Sequence, residues 1–133
     1  MPLDGSLNSI RGLNEAISLA RQSDATITGI YVIPNFSPKV AQILKSYRIV
    51  LMKNAKKIMS HARTSTARHG ISFNEKIVVS GDLVKTISGY AKSSKSDIIV
   101  MGSRGEGSPR KEYLGSVANG VLHDSKIPVL IVK

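Results

Sequence analysis

The chain has 133 residues, 41% of them hydrophobic and 21% charged, a balance that suits one globular domain with a core of its own. It contains no cysteine, which excludes a disulfide framework and the thiolate zinc sites. Its 19 Lys and Arg against 9 Asp and Glu give a formal charge of +10, which raises the question of an anionic partner.

The apolar runs are strand-length, too short to span a bilayer, and no basic region followed by an apolar core opens the chain. The expected location is the cytoplasm. Met1-Pro2-Leu3 is too short for a full strand, but Asp4-Gly5-Ser6 reads as the turn that follows one. Ser6 or Asn8 suits the N-cap of a first helix. Ile10, Leu13, Ile17 and Ala20 recur at spacings of three and four, which marks its apolar face and ends it near Gln22.

Residues 26–33 are rich in β-branched side chains and read as a second strand, closed by Pro34. Val40, Leu44, Tyr47, Leu51, Ile58 and Ala62 then trace the apolar face of one long helix from Lys39 to His69, with Gly70 at its stop. Tyr47 is expected to face the core. This helix carries Lys39, Lys45, Arg48, Lys53, Lys56, Lys57, Arg63 and Arg68 and no acidic residue, so most of the excess charge is here. It reads either as a solvated face or as a surface for nucleic acid or a membrane. Aromatics that would stack on bases are not interleaved with its cations, which favours the solvated face.

Phe73 to Val79 is a third strand, polar in its first half as suits an edge. Asp82 is placed to cap a third helix lined by Leu83, Ile87 and Ala91. Residues 97–100 form a fourth, buried strand, and residues 127–132 a fifth. Strands that alternate with helices imply a single α/β domain over residues 1–133: three layers, doubly wound around a five-stranded parallel sheet. The expected strand order is 3-2-1-4-5. Ligands of such sheets bind where the loops of the central strands leave their carboxyl ends, here after Leu3 and after Met101.

The stretch from Met101 to Asn119 carries the chemistry. It places Gly102, Gly105, Gly107 and Gly115 between a strand and a short helix that starts near Val117. Glycine lets backbone approach a ligand, and the first amides of a helix suit a phosphate. It is not a Walker A loop, because Ser108 and Val121 stand where the lysine belongs, nor does it have the G-x-G-x-x-G spacing of a dinucleotide site. On composition alone, a phosphate loop and a plain surface loop both remain open.

Gly102-x2-Gly105-x9-Gly115-Ser116 resembles the ATP-binding loop of universal stress proteins. The likeness extends along the chain, through Pro2-Leu3-Asp4-Gly5-Ser6, Tyr31-Val32-Ile33-Pro34, residues 97–102 and residues 128–132. It implies an adenine nucleotide alpha hydrolase-like fold that binds ATP, ADP or AMP, with Mg2+ accompanying the phosphates. Asp4 would contact the ribose or the adenine edge, Pro2 and Leu3 would line the base pocket, and Val32 would touch the base. Met101 and Gly102 would pack on the nucleoside. Gly105, Gly115, Ser116 and Val117 would hold the phosphates, with Arg104 and Arg110 placed to add positive charge.

The resemblance also implies a homodimer joined through strand 128–132, and a role in stress response or signalling by binding rather than catalysis. The family's first strand is longer, so Met1 is read as an internal methionine with the true start a few residues upstream. His61, His69 and His123 match no metal spacing, and no G-x-S-x-G elbow surrounds Ser116. No catalytic residue is assigned. The competing functions are a basic adaptor acting through residues 39–69, and a slow ATPase.

Overall fold

The computed structural model describes residues 1–105 and 114–133. Its first helix, α1 (Leu7–Ser23), starts where expected: the Ser6 hydroxyl accepts the Ser9 N–H at 3.1 Å. Gly5 turns the chain into the helix at φ +87°, a conformation that disfavours any side chain. Leu13, Ala16, Ile17 and Ala20 form the buried face of α1.

Strand β1 (Ile27–Pro34) is followed by helices α2 (Pro38–Ile43) and α3 (Lys45–Ala67). The single helix expected from Lys39 to His69 is therefore two, broken at Leu44, where φ is −98° and ψ is 22°. Helical hydrogen bonding continues across the break, from Leu44 N–H to Val40 O and from Arg48 N–H to Leu44 O, each at 2.9 Å. Of residues 42–46 only Ile43 is β-branched, so local helix propensity alone does not explain the distortion.

Tyr47 does not face the core. It is half exposed, as are Val40 and Val50. The reason is length: α3 runs for about 35 Å, whereas an eight-residue strand covers only about 26 Å. Only the later turns of α3 lie over the sheet, and they bury Ala55, Met59, Ala62 and Thr66.

Strand β2 (Phe73–Ser80) runs parallel to β1, with Ile27 opposite Phe73 and Pro34 opposite Ser80. Helix α4 (Leu83–Ser93) is capped by Asp82, whose carboxylate accepts the Lys85 N–H at 3.0 Å. Strand β3 (Ile99–Gly102), helix α5 (Ser116–Asp124) and strand β4 (Val129–Val132) complete the described elements. β3 and β4 are parallel, with Ile99 opposite Val129.

The continuous sheet of order 3-2-1-4-5 is not formed in full. β2 pairs with β1 and β3 pairs with β4, as two two-stranded ladders. The N-terminal stub is one parallel bridge, Pro2 to Ile30, in which Leu3 N–H bonds to Ile30 O and Ile30 N–H to Met1 O. Among the described residues no ladder joins this stub to β3.

The α/β layering is nevertheless clear. One cluster packs Leu13, Ala16, Ile17 and Ala20 of α1 with Met59 and Ala62 of α3, Leu3 and Val100. The other packs Ile87 and Ala91 of α4 with Ala118 and Val121 of α5, Ile99 and Met101. Successive residues of β3 thus enter opposite clusters, as a strand covered on both faces requires. Among the described residues, no helix is long and apolar enough to cross a membrane.

Candidate functional site

The turn after the stub and the segment after β3 meet. Asp4 Oδ1 accepts from the Ser6 N–H at 3.0 Å and from the Ser6 hydroxyl at 2.7 Å, which holds the turn closed. Asp4 Oδ2 lies against Gly105 at the very place where a side chain on that residue would stand. Ser6 Oγ also donates to the Arg104 carbonyl at 3.4 Å. The loops after Leu3 and after Met101 therefore touch.

Glycine at 102 has a distinct cause. A Cβ there would lie 2.6 Å from the Asn8 carbonyl carbon and 2.7 Å from its oxygen, so α1 starts directly against the end of β3. Only a residue without a side chain admits this approach.

The α5 end of the site returns to the same place. Gly115 donates its N–H to the Ser103 carbonyl at 2.8 Å, and its own carbonyl accepts from Asn119 at 2.9 Å. Gly115 is the N-cap of α5, so no side chain caps that helix. Ser116 is exposed as its first residue, and Val117 is half-buried. The helix opens beside Arg104 and Gly105 with amide groups that suit an anion.

Met101 is buried in the cluster on which Val32 and Val117 also pack. These three form an apolar wall beside the polar turn. Leu3 does not join them: its side chain is buried in the opposite cluster, with α1 and α3. Pro2 is half-buried in the bridge to Ile30. Arg110 lies outside the described residues.

Two contributors carry no separate signal in the sequence. Ser6 reads as part of the Asp4-Gly5-Ser6 turn and as a helix cap, yet its hydroxyl also ties Asp4 to Arg104. Ser103 is buried, donates its N–H to Val132 O at 2.7 Å, and accepts from Gly115. Its hydroxyl is buried and has no hydrogen-bond partner among the described residues. The spacing of the flanking glycines carries no signal for this, since Ser103 occupies a free position of the motif.

His61, His69 and His123 are all exposed, and the His69 ring nitrogen Nδ1 lies 2.8 Å from Ser65 O. Among the described residues no three of His, Cys, Asp and Glu gather around a point where a metal could sit. A hollow of about 310 Å3 lies at the far end of the sheet, between Arg21, Asp24 and His69, and shares no residue with this site.

Known proteins match this arrangement over its whole length. The model of the universal stress protein family matches residues 1–133. A universal stress protein of Methanocaldococcus jannaschii is 29% identical over all of this chain and 79% of its own. The universal stress protein UspA of Lactobacillus plantarum has the same fold, with a TM-score of 0.88 at 24% identity, covering 99% of this chain and 94% of that one. A universal stress protein solved in complex with cAMP is 28% identical, with a TM-score of 0.76, covering all of this chain and 94% of that one. Since the family model spans residues 1–133, the chain belongs to the universal stress protein family.

Proposed function

We propose that this protein binds an adenine nucleotide between the Asp4 turn and the start of α5, and acts through the bound state. The observation that carries this is a pair of contacts, Asp4 against Gly105 and Gly115 against Ser103 and Arg104, the latter at a helix start that no side chain caps. A carboxylate that accepts hydroxyl protons lies on one side and helix amides that suit phosphate lie on the other. The relative solved with cAMP supports an adenine ligand.

In this reading Asp4 holds the ribose or the adenine edge, and Val32 and Met101 flank the base with Pro2. Leu3 contributes its backbone, since its side chain is committed to the other cluster. Gly102 sits under the nucleoside. Gly105, Gly115, Ser116 and Val117 take the phosphates, with Arg104 adding charge. Asp4 is the one carboxylate at the described site, so a Mg2+ would arrive on the phosphates rather than wait in a protein cage.

The role is a cytoplasmic stress-response or signalling module whose surface changes with occupancy. β4 pairs with β3 on one side and keeps a half-buried apolar strand at the edge, which suits pairing with a second copy as a homodimer. Sedimentation at rising concentration tests that pairing.

Denaturing the purified protein and identifying the released nucleotide tests the main reading, with calorimetric titration of ATP, ADP and AMP beside it. A released adenine nucleotide or a saturable heat is expected. No nucleotide and no heat with any of the three would sink the proposal.

A further inference from the structure

The basic segment has an apolar component that its charge conceals. Five large apolar side chains between residues 40 and 50 are exposed: Val40, Ile43, Tyr47, Ile49 and Val50, with Ile43 at 82%. Single exposed apolar residues are ordinary, but a group confined to three helical turns is not. Val40, Ile43, Tyr47 and Val50 follow one another at spacings of three, four and three. The hydrogen bonds that cross the Leu44 break keep them in one stripe.

The surrounding charge has one sign. Lys39, Lys45, Arg48 and Lys53 are exposed, and none has an ion-pair partner among the described residues. No acidic residue occurs between Asp24 and Glu75, and Glu75 is paired with Arg63 at 2.6 Å. The start of this helical arm also projects beyond the sheet. It therefore presents apolar side chains with a cationic rim to whatever approaches.

We propose that the arm formed by α2 and the first turns of α3 docks on an anionic lipid surface. An aliphatic stripe enters the headgroup boundary, a tyrosine suits the interfacial depth, and flanking lysines reach the lipid phosphates over their own methylene stems. The charge of the arm complements an acidic leaflet. The arm lies on such a surface and does not cross it.

Other occupants fit less well. A second copy placed on the same stripe by two-fold symmetry brings Lys39, Lys45, Arg48 and Lys53 against their own images with no carboxylate between. Nucleic acid would meet the cations, but aliphatic side chains do not stack on bases, and the Tyr47 ring already packs against Phe36 with centroids 6.3 Å apart.

Co-sedimentation of the full chain with vesicles of phosphatidylcholine alone, and with phosphatidylglycerol added, tests this. Binding is expected only with the anionic lipid, and should weaken as salt rises. Ile43→Ser and Tyr47→Ser should each lower the partition coefficient by at least about fivefold, because they remove buried apolar area. Both positions are exposed, so the fold is retained, which circular dichroism verifies. The chain has no tryptophan, so Val50→Trp provides a single reporter whose emission should shift to the blue on vesicles.

Three results would overturn the proposal. One is failure to bind anionic vesicles, including the case where polyglutamate binds instead. A second is binding that the serine variants leave unchanged, which would mean adsorption through net charge alone. The third is equal loss from Lys92→Glu and Lys126→Glu, on other elements, as from Lys45→Glu and Arg48→Glu.

Discussion

The N–H of Gly115 donates to the carbonyl of Ser103 at 2.8 Å, so one backbone hydrogen bond joins the exit of β3 to the entry of α5. The start of α5 is therefore fixed relative to β3 by main-chain groups, and the Asp4 and Ser6 side chains join that corner to the N-terminal turn.

Substitution of Gly115 separates binding from folding. A Cβ there would stand 3.2 Å from Arg104 Cα and 3.4 Å from Ser103 O, a tight but tolerable fit. Gly115→Ala should weaken nucleotide binding less than about tenfold. Gly115→Asp puts a negative charge where the phosphates are proposed to lie, and should weaken binding at least about a hundredfold. Aspartate is a good N-cap, so the melting temperature should change by only a few degrees. Calorimetry and thermal melts of both variants check this, and unchanged ATP affinity in Gly115→Asp would remove α5 from the site.

Asp4 and Gly105 should be energetically coupled. A methyl group on residue 105 must displace the Asp4 carboxylate, which also holds Ser6. Gly105→Ala should cost about 1–3 kcal/mol of stability, as overpacking does. In an Asp4→Ala background the obstacle is gone, and the same change should cost less than about 1 kcal/mol. Urea denaturation of the four proteins of this cycle measures the difference. Additive costs would mean that the two residues do not share the contact.

Much of this arrangement is legible in the residues themselves, because the signals are local. Ser6 and Asp82 sit before apolar periodicities and cap them. Gly70 ends a helical pattern and has φ +70°. The glycines at 102, 105 and 115 mark real close approaches. What was not legible depends on partners distant in sequence. Tyr47 lies on the apolar periodicity of α3 but beyond the reach of the sheet, and periodicity has no knowledge of strand length. Leu3 alternates correctly for a central strand, yet which cluster receives it depends on the helices packed on each face. Burial of the Ser103 hydroxyl follows from the return of Gly115, a contact that spacing alone does not predict.

Gly102 should be among the least replaceable residues of the site for structural reasons. Its obstacle is the Asn8 backbone within α1, which cannot rotate away as a side chain can. Gly102→Ala should destabilise the fold by about 2–3 kcal/mol, at the upper end for overpacking. The denaturation midpoint should fall while the slope with urea is unchanged. A midpoint equal to that of the parent would show that α1 shifts freely against β3.

In a chain that starts at Met1, the free α-amino group sets a pH dependence of stability. It donates to Thr28 O at 2.6 Å, and burial lowers its pKa from 8.0 to about 5. Between these values the folded amine is neutral and the unfolded amine is protonated, so unfolding takes up a proton. Stability should therefore rise as pH increases from about 5 to about 8, and this group adds no slope above or below that window. Three pH units at about 1.4 kcal/mol each bound the effect at about 4 kcal/mol. Met1 also borders a slot lined by Thr28, Ile87, Tyr90, Ala91 and Ile98, beside the bridge to Ile30. A short apolar extension ahead of Met1 would replace the amine by an amide and run into that slot. It should abolish the slope and raise the melting temperature, because an amide pays no cost for losing a charge and more apolar surface is buried. Thermal melts of both chains across the window check this. An extended chain with the same slope and no gain would show that neither the amine nor the slot limits stability.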